Sequence, residues 1–358
     1  MADDRISLRQ LLSLLFAALL APAIGVLPAQ TAALAGEAGW LAALAALPVL
    51  LAALWALWAL LRPAGEGAGL AQVTQRVLGG PLGRLVLLLC LGWGLLLLAA
   101  NARLFSLRFL STSYSNSPAG LFLAVLLALA LWLAWKPVRV LARAGEIFRL
   151  ALAVGLAFSL ALGAFQIEPR HVLPIWTEDV PGLLSAAMPV LGLLGYGLFA
   201  AFLGGNVTRT GNDRRRLLVW GAVFCLVLTA LQLVCQGNFG PTLTARADTP
   251  FFLMVKGIGI EGTFQRVESL IIALWVFSDL ALLASSCAAL AQAVFSLKER
   301  RHAAVPVAGL ALAGAWLLFP DAFSLDRWME NVVWPGNLLL GFGLPVLLLL
   351  VKKLRGQV

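Results

Sequence analysis

Charged residues are scarce in this chain: Asp, Glu, Lys and Arg make up 12% of its 358 residues, whereas 61% are hydrophobic. A water-soluble domain carries about 25% charged residues, which cover its surface. This composition therefore excludes an ordinary soluble domain and predicts a chain whose solvent is lipid. The net charge of +9 is spread in short clusters between apolar runs, so it indicates membrane topology, and no nucleic-acid partner is expected.

Residues that carry catalysis or bind metals are also few. The two histidines, His171 and His302, fall in predicted loops. The four cysteines lie inside apolar segments without metal-ligand spacing. No H-E-x-x-H, Walker A or G-x-S-x-G motif occurs, so we expect no enzyme activity, no metal and no cofactor.

Long hydrophobic runs, in contrast, are abundant. Roughly 20 apolar residues are needed to cross a bilayer as a helix. The runs predict an all-α polytopic membrane protein with about ten transmembrane helices. They lie near residues 9–29, 39–61, 83–105, 119–135, 145–166, 182–205, 216–237, 266–292, 303–320 and 335–352. The first run follows basic residues like a signal peptide, but it continues past residue 27, and we interpret it as an uncleaved first helix.

The lysines and arginines predict the orientation of these spans. With the N-terminus in the cytoplasm, nineteen of the 26 Lys and Arg fall in inner loops and tails. Cytoplasmic loops are enriched in positive charge. We therefore expect both termini to be cytoplasmic, and we assign Arg103 and Arg108 to the smaller outer set.

Two connections are predicted to form short helices. Residues 70–78 can form an amphipathic helix along the inner face, ending at Gly79 and Gly80. Thr249 followed by Pro250 has the pattern of an N-cap and a first helical residue, so residues 251–258 should form an outer helix. It would serve as an interfacial anchor or as a cover over a solute path.

Two spans carry clustered helix breakers near their midpoints. Pro22, Gly25 and Pro28 lie in the first span, whereas Pro189, Gly192, Gly195 and Gly197 lie in the sixth. The two spans are five helices apart, so the halves of the chain cross the membrane in opposite directions. Matching breakers in inverted halves point to a solute site at the repeat interface. The alternative is that they only kink their helices.

Few ionisable residues fall inside the spans. Asp279 lies near the centre of the eighth, where an ionised carboxylate costs at least about 2.5–3.5 kcal/mol unless it faces a polar environment. It is a candidate for proton coupling, for binding a substrate ammonium, or for a purely structural contact. Ser278, which precedes it, supplies a further polar atom. Arg103 and Glu268 could form a gate or a structural ion pair, or extend to the interface.

Several motifs in order along the chain resemble one family. They are R-I-S-L-R-Q-L at residues 5–11, I-G-V-L-P at 24–28, G-W-L at 39–41, A-R-A-G-E-I at 142–147, T-P at 249–250, and F-Q-R-V-E-S-L at 264–270 with Trp275. Their order and spacing over most of the chain resemble the spore-germination receptor B subunits. These are also called endospore germination permeases, within the amino acid–polyamine–organocation superfamily.

The resemblance implies a fold and a site. The fold is two inverted five-helix repeats of the leucine-transporter (LeuT) type, residues 1–166 and 167–358, in one membrane domain with helices 1 and 6 broken. The segments matching the family's ligand-contacting parts are residues 23–26 in helix 1 (Ala23, Ile24, Gly25 and Val26), Tyr196 with its glycines Gly192 and Gly195 in helix 6, and the turn after Trp275 in helix 8. We take Ser278 and Asp279 in that turn as further candidate site residues. Asp279 itself lies outside the family pattern.

The resemblance also implies a function. The chain would bind an amino-acid-like germinant at mid-membrane in the spore inner membrane, beside A-type and C-type receptor subunits, and trigger germination. A proton-coupled amino-acid permease with Asp279 as proton carrier is the alternative. A scaffold that only assembles a complex is a third possibility, and it would need no polar cavity.

Overall fold

The structure is a computed structural model that describes residues 4–65, 67–112, 118–257, 267–294 and 300–356. These residues form a bundle of helices with two very short strands. The helices are α1 (Leu8–Ala35), α2 (Ala42–Leu61), α3 (Leu70–Leu78), α4 (Gly80–Thr112), α5 (Ala119–Trp135), α6 (Val138–Ala164), α7 (Val180–Leu194), α8 (Gly197–Phe202), α9 (Asp213–Arg246), α10 (Pro250–Gly257), α11 (Val267–Val294), α12 (Arg300–Leu317), α13 (Ala322–Trp328), α14 (Trp334–Asn337) and α15 (Leu344–Leu354). The strands are β1 (Ile6–Ser7) and β2 (Val207–Thr208), which pair in parallel.

The helices agree with the predicted spans. Within the described ranges, seven segments are long and apolar enough to cross a membrane. One of them, Leu8–Leu61, contains both α1 and α2. Two shorter apolar helices, Gly120–Trp135 and His302–Leu317, correspond to the short fourth and ninth spans. The chain is therefore a multi-pass membrane protein; the proposed division after residue 166 falls between α6 and α7 and stays a prediction.

Both predicted connecting helices are present. Helix α3 ends at Leu78, and Gly79 adopts φ 88°, a conformation that glycine reaches without strain. The apolar face of α3 is buried, so the helix packs against the bundle. Helix α10 begins at Pro250, and the carbonyl of Thr249 accepts a hydrogen bond from Leu253 N–H. Of its residues, Phe251 is 1% exposed.

The sixth span is broken where glycines were expected to break it. It consists of α7 and α8, separated by a turn at Gly195 and Tyr196. The tenth span comprises α14 and α15 and contains a π-helical stretch, Leu338–Gly343. Spans six and ten touch backbone to backbone, because a Cβ added at Gly341 would lie 2.6 Å from Gly195 Cα.

Helix α1 stays helical along its whole length, so the unwinding expected at Pro22, Gly25 and Pro28 is not observed. It runs from Leu8 to Ala35 with Pro22 and Pro28 inside. Neither proline has an N–H, so neither can donate the usual helical hydrogen bond to the carbonyl of Ala18 or Ile24. Packing against α6, α7, α9 and α11 holds the helix together around these two missing donors. The sequence therefore weakens α1 locally without unwinding it.

Both termini lie at the same end of the bundle. Strand β1 pairs with β2, which follows the sixth span. The guanidinium of Arg209 donates hydrogen bonds to the carbonyls of Leu61, Arg62 and Ala68, which lie between α2 and α3. Near the other terminus, Arg355 Nη1 donates to Val77 O. At the opposite end, Gln236 of α9 donates to the connection after α1, at Gly36 and Glu37.

The contact between spans six and ten gives a first prediction. Replacing Gly195 with alanine should lower the free energy of unfolding by about 1–3 kcal/mol, because its Cβ would lie 2.6 Å from the backbone oxygen of Asn337. The matched control is Gly92→Ala in α4, where no atom lies within 4 Å of the added Cβ. This control should be neutral or stabilising by up to about 1 kcal/mol, since alanine favours helix. Unfolding in mixed micelles measures both, and equal effects would contradict the packing described.

Candidate functional site

A side chain from α11 is inserted into the backbone of α1. The hydroxyl of Ser278 donates to the carbonyl of Ala17 and accepts from the N–H of Ala21 at 2.7 Å. In a regular helix that N–H and that carbonyl pair with each other. Ser278 is completely buried, and its hydroxyl therefore opens α1 one residue before Pro22. The predicted site residue Ser278 and the weakened part of α1 come together here.

Next to this opening lies a buried pair of opposite charges. Arg108 of α4 and Asp279 of α11 approach to 3.8 Å between Nη1 and Oδ2. Their side chains are 7% and 8% exposed. No hydrogen bond from the described part of the chain reaches Asp279 Oδ2. The pair is thus held by charge at a distance longer than the 2.7–2.9 Å of a charge-assisted hydrogen bond.

The guanidinium of Arg108 also fills the space beside Gly25 of α1. A Cβ at Gly25 would lie 2.6 Å from Arg108 Nη2, so only glycine leaves room for the arginine. The guanidinium carbon of Arg108 lies 5.5 Å from the ring centroid of Trp275, a cation–π distance. Gly25 and Asp279, which come from two of the predicted site segments, therefore both lie beside Arg108.

The neighbours of Gly25 in α1 are packed more conventionally. Ala23 and Ile24 are buried, and Val26 is partly buried. Ile24 lines a void of about 10 Å³ with Trp275. A void needs at least about 10–15 Å³ to hold one water, so this part of the site has no room for an organic ligand as it stands.

Tyr196, at the break in the sixth span, belongs to a second polar cluster. Its hydroxyl accepts a hydrogen bond from Asn101 Nδ2 of α4 at 2.8 Å. Asn337 of the tenth span accepts from Trp93 Nε1 at 2.8 Å and donates to Gly192 O at 2.9 Å. The cluster ties the broken span to α4 and α14.

The predicted site glycines of the sixth span face the tenth span. A Cβ at Gly192 would lie 2.6 Å from the ring of Trp334, and one at Gly195 would lie 2.6 Å from Asn337 O. The two glycines allow this close packing, and the structure does not bring them to the Arg108–Asp279 pair. Tyr196 lines a separate void of about 20 Å³ together with Ser285 and Ser286.

Of the two residues of the predicted gate, Arg103 and Glu268, the structure describes the side chain of Arg103. Arg103 donates hydrogen bonds to Phe319 O at 2.9 Å and to Pro320 O at 2.6 Å. It therefore satisfies carbonyls that follow the C-terminal end of α12. The side chain of Glu268 lies outside the described residues, and a role of the two as a gate stays a prediction.

A larger cavity opens at the end of the bundle that carries the termini. Its volume is about 390 Å³, and its wall is mainly apolar, built from α1, α2, the sixth span and α9. Arg62, Arg209 and Asp213 lie at its mouth, and Gly197 lines it at the broken span. Leu15 lines both this cavity and the void beside Tyr196, so a single layer of side chains separates them.

Sequence reasoning missed Arg108, which it had assigned to an outer loop. Apolar residues continue around it, from Leu104 to Leu110, and this signal indicated that the third span extends past residue 105. Asn101 and Arg108 are seven residues apart and share one helix face, which is the face that meets the site. The pairing of Asn337 with Trp93 had no comparable signal, because the two residues come from distant spans.

Comparison with solved structures identifies the fold. The structure of MhsT in complex with L-phenylalanine matches with a TM-score of 0.67 and 17% identity, over 97% of this chain and 89% of that one. A Na⁺-coupled sialic acid symporter, in a substrate-bound outward-open state, matches with a TM-score of 0.60 and 13% identity, over 94% of this chain and 79% of that one. At such low identity these likenesses show that the fold is LeuT-like.

Comparison of the sequence identifies the family. YfkT of Bacillus subtilis (strain 168), a protein named for spore germination, is 24% identical over 199 residues, 54% of this chain and 53% of YfkT. The matched region thus spans about half the length of that curated relative. A family profile described as "Spore germination protein" matches residues 5–318. The chain therefore belongs to the spore germination protein (spore permease) family.

Proposed function

We propose that this protein is a germinant-receptor subunit that binds a small amino-acid-like molecule in the middle of the membrane and thereby triggers spore germination. The observation that carries the proposal is the opening of α1 by Ser278 beside Arg108 and Asp279. Buried charges inside a membrane are costly and are found where they serve ligands, ions or protons. The site combines such charges with backbone groups of α1.

Ligand binding at this place can act on the whole bundle. The site joins α1, α4 and α11, and α1 also packs against α6, α7 and α9. A ligand shifts a conformational equilibrium only through different affinities for the two states. Because the void beside Ile24 and Trp275 is about 10 Å³ and the neighbouring void beside Tyr196 about 20 Å³, a state that admits an amino acid must separate these helices. Under this proposal, A-type and C-type subunits would respond to that separation from the spore inner membrane, with both termini cytoplasmic.

A proton-coupled amino-acid permease is the second candidate. The cavity of about 390 Å³ at the terminal end favours it, because it leads from one surface to the broken span. The fold is shared with MhsT and with a Na⁺-coupled symporter. In this alternative, Asp279 would carry the coupled proton.

The two candidates differ in whether the solute crosses the membrane. Uptake of twenty radiolabelled amino acids is measured in proteoliposomes that contain the purified protein, with and without an inward proton gradient. Binding of the same amino acids is measured separately in nanodiscs. We expect saturable binding of at least one amino acid without gradient-driven accumulation. Empty liposomes control for leakage. Gradient-dependent accumulation would instead establish the permease, and Asp279→Asn should then abolish it. Absence of both binding and uptake would contradict both candidates.

A further inference from the structure

We propose that the cavity of about 390 Å³ at the terminal end of the bundle binds one acyl chain of an anionic phospholipid, whose phosphate lies between Arg62 and Arg214. The lipid comes from the leaflet on the side of the two termini. This site lies apart from Arg108 and Asp279, which are not among the described residues that line the cavity, and it is not part of the proposed function.

The wall of the cavity changes from apolar to charged along its length. Its charged residues, Arg62, Arg209 and Asp213, lie at the mouth, whereas Leu15 and Gly197 line its inner part. Within the described ranges, the lining residues of that inner part include no charged side chain. A free amino acid placed there would leave its charged groups without partners. An acyl chain needs only apolar contacts, and each methylene that it buries adds to its affinity.

The length of the cavity fits one leaflet of a bilayer. Helix α2 lines it with one stripe of residues, at positions 50, 53, 54, 57, 58 and 61. With a rise of 1.5 Å per residue, the stripe from Leu50 to Leu61 is about 16 Å long. One leaflet supplies about half of the roughly 30 Å hydrocarbon core. An acyl chain that enters beside Leu61 therefore reaches Leu50 while its head group stays at the bilayer surface.

Two guanidinium groups lie beside one indole ring at the mouth. The guanidinium carbons of Arg62 and Arg214 are 5.1 and 5.6 Å from the ring centroid of Trp58, which lines the cavity. Both arginines are exposed. The planar guanidinium matches the geometry of a phosphate and binds it through charge-assisted hydrogen bonds. A phosphate between the two groups would also offset the repulsion of their like charges.

Two further charged residues hold the backbone around these arginines. Arg209 donates hydrogen bonds to three carbonyls of the connection between α2 and α3, one of them that of Arg62 itself. Asp213, which precedes Arg214, accepts from the N–H of Thr210 at 2.7 Å and from its hydroxyl at 2.5 Å. These three arginines and one aspartate give a net charge of +2. Basic pockets between transmembrane helices favour anionic head groups.

The position of the chain beside the broken sixth span gives the lipid an effect on the bundle. Leu11, Leu15 and Ala200 line both this cavity and the void beside Tyr196. An acyl chain in the cavity packs against this layer and holds it closed. A solute that passes from the void to the terminal end must first displace the chain, so the lipid and such a solute exclude each other.

One pair of variants tests the head group. Replacing both Arg62 and Arg214 with glutamine removes the two charges beside Trp58. The matched control replaces Arg215 and Arg216 with glutamine, since these are exposed arginines of the same helix start that do not line the cavity. Both double variants lose two positive charges at the same end of the bundle. Only a lipid bound at the mouth distinguishes them.

A second pair tests the acyl chain. Gly197→Leu adds a side chain inside the cavity, because a Cβ there meets a single described atom outside its own helix, Leu15 Cδ2 at 3.9 Å. The matched control is Gly92→Leu, on an exposed face of α4 with no described atom within 4 Å of the added Cβ. If Gly197→Leu fails to fold, Gly204→Leu takes its place, since its Cβ meets Leu61 Cδ1 at 3.7 Å.

The experiment uses the full chain, delipidated in a non-ionic detergent, and native mass spectrometry to count bound lipids. The probes are dioleoylphosphatidylglycerol, which is anionic, and dioleoylphosphatidylcholine, which has the same chains and no net charge. The dissociation constant of the first bound lipid is measured for the wild type and each variant. Size-exclusion chromatography confirms that each variant is folded.

The wild type and both controls should bind the phosphatidylglycerol at least about tenfold more tightly than the phosphatidylcholine. The variant without the two arginines beside Trp58 should lose this preference, and the cavity-filling variant should bind both lipids at least about tenfold more weakly. Equal wild-type affinity for the two lipids would show a cavity that accepts any chain and would overturn the inference. Lipid binding unchanged in the cavity-filling variant would also overturn it, because the lipid would then lie elsewhere and the cavity would be left to a solute or another partner.

Discussion

Replacing Arg108 with methionine is expected to lower the free energy of unfolding by about 3–5 kcal/mol, the cost of breaking a buried ion pair by removing one partner. Asp279 would remain in the bundle without its 3.8 Å partner, with an Oδ2 that already lacks a hydrogen bond from the described residues. The cation–π contact of Arg108 with Trp275 would be lost as well. We therefore expect this single substitution to lower the stability of the protein strongly.

A second substitution tests the reason for the loss. Adding Asp279→Leu to Arg108→Met should recover most of the stability, because a buried ion pair replaced by apolar residues of similar shape is often neutral or stabilising. Arg170→Met is the matched control, since Arg170 pairs with Glu168 while 79% of its side chain is exposed. It should change stability by less than about 1 kcal/mol.

The measurement can use the protein's own thiols. All four cysteines are buried, so a thiol-reactive dye reports unfolding in mixed micelles. A double variant that is no more stable than Arg108→Met alone would show that the arginine acts through packing against Gly25. In that case the charge of Asp279 would have little part in the loss.

Replacing Asn337 with alanine is expected to cost about 3 kcal/mol. Asn337 is 1% exposed, and its side chain accepts from Trp93 Nε1 and donates to Gly192 O. Without it, the buried Gly192 O and the part-buried Trp93 Nε1 lose their partners, and each loss of a buried partner costs about 1–3 kcal/mol. The contact between the broken sixth span and α14 should loosen at the same time.

Asn331→Ala is the matched control on the same span. Asn331 is exposed, and within the described residues its amide donates to Arg327 O alone. Its replacement should change stability by less than about 0.5 kcal/mol. Unfolding followed by tryptophan fluorescence distinguishes the two variants. Similar losses in both would mean that the amide of Asn337 does not join the spans.

Much of the fold could be predicted from local patterns. Apolar runs predicted the spans because the length of a helix that crosses a bilayer depends only on bilayer thickness. Residues 70–78 and the Thr249-Pro250 pair predicted α3 and α10 through amphipathic spacing and capping. Glycines predicted the break at Gly195 and Tyr196. These features depend on residues close together in the chain.

The break expected in α1 shows the limit of local patterns. Prolines remove donors from a helix, but whether the helix unwinds depends on what surrounds it. In α1, neighbouring helices pack around Pro22 and Pro28, and the opening occurs at Ala17 and Ala21. Ser278 of α11 makes that opening, and the sequence around α1 does not indicate that this serine contacts it.

The sequence by itself determined that this is a multi-pass membrane protein, the approximate positions of its spans, and that Asp279 lies within one of them. Only the tertiary structure decided that Asp279 meets Arg108, that Arg108 fills the space beside Gly25, and that Ser278 enters the backbone of α1. Helical periodicity determines which side chains share a face. The packing of distant helices determines which faces meet, and the candidate site consists of such contacts.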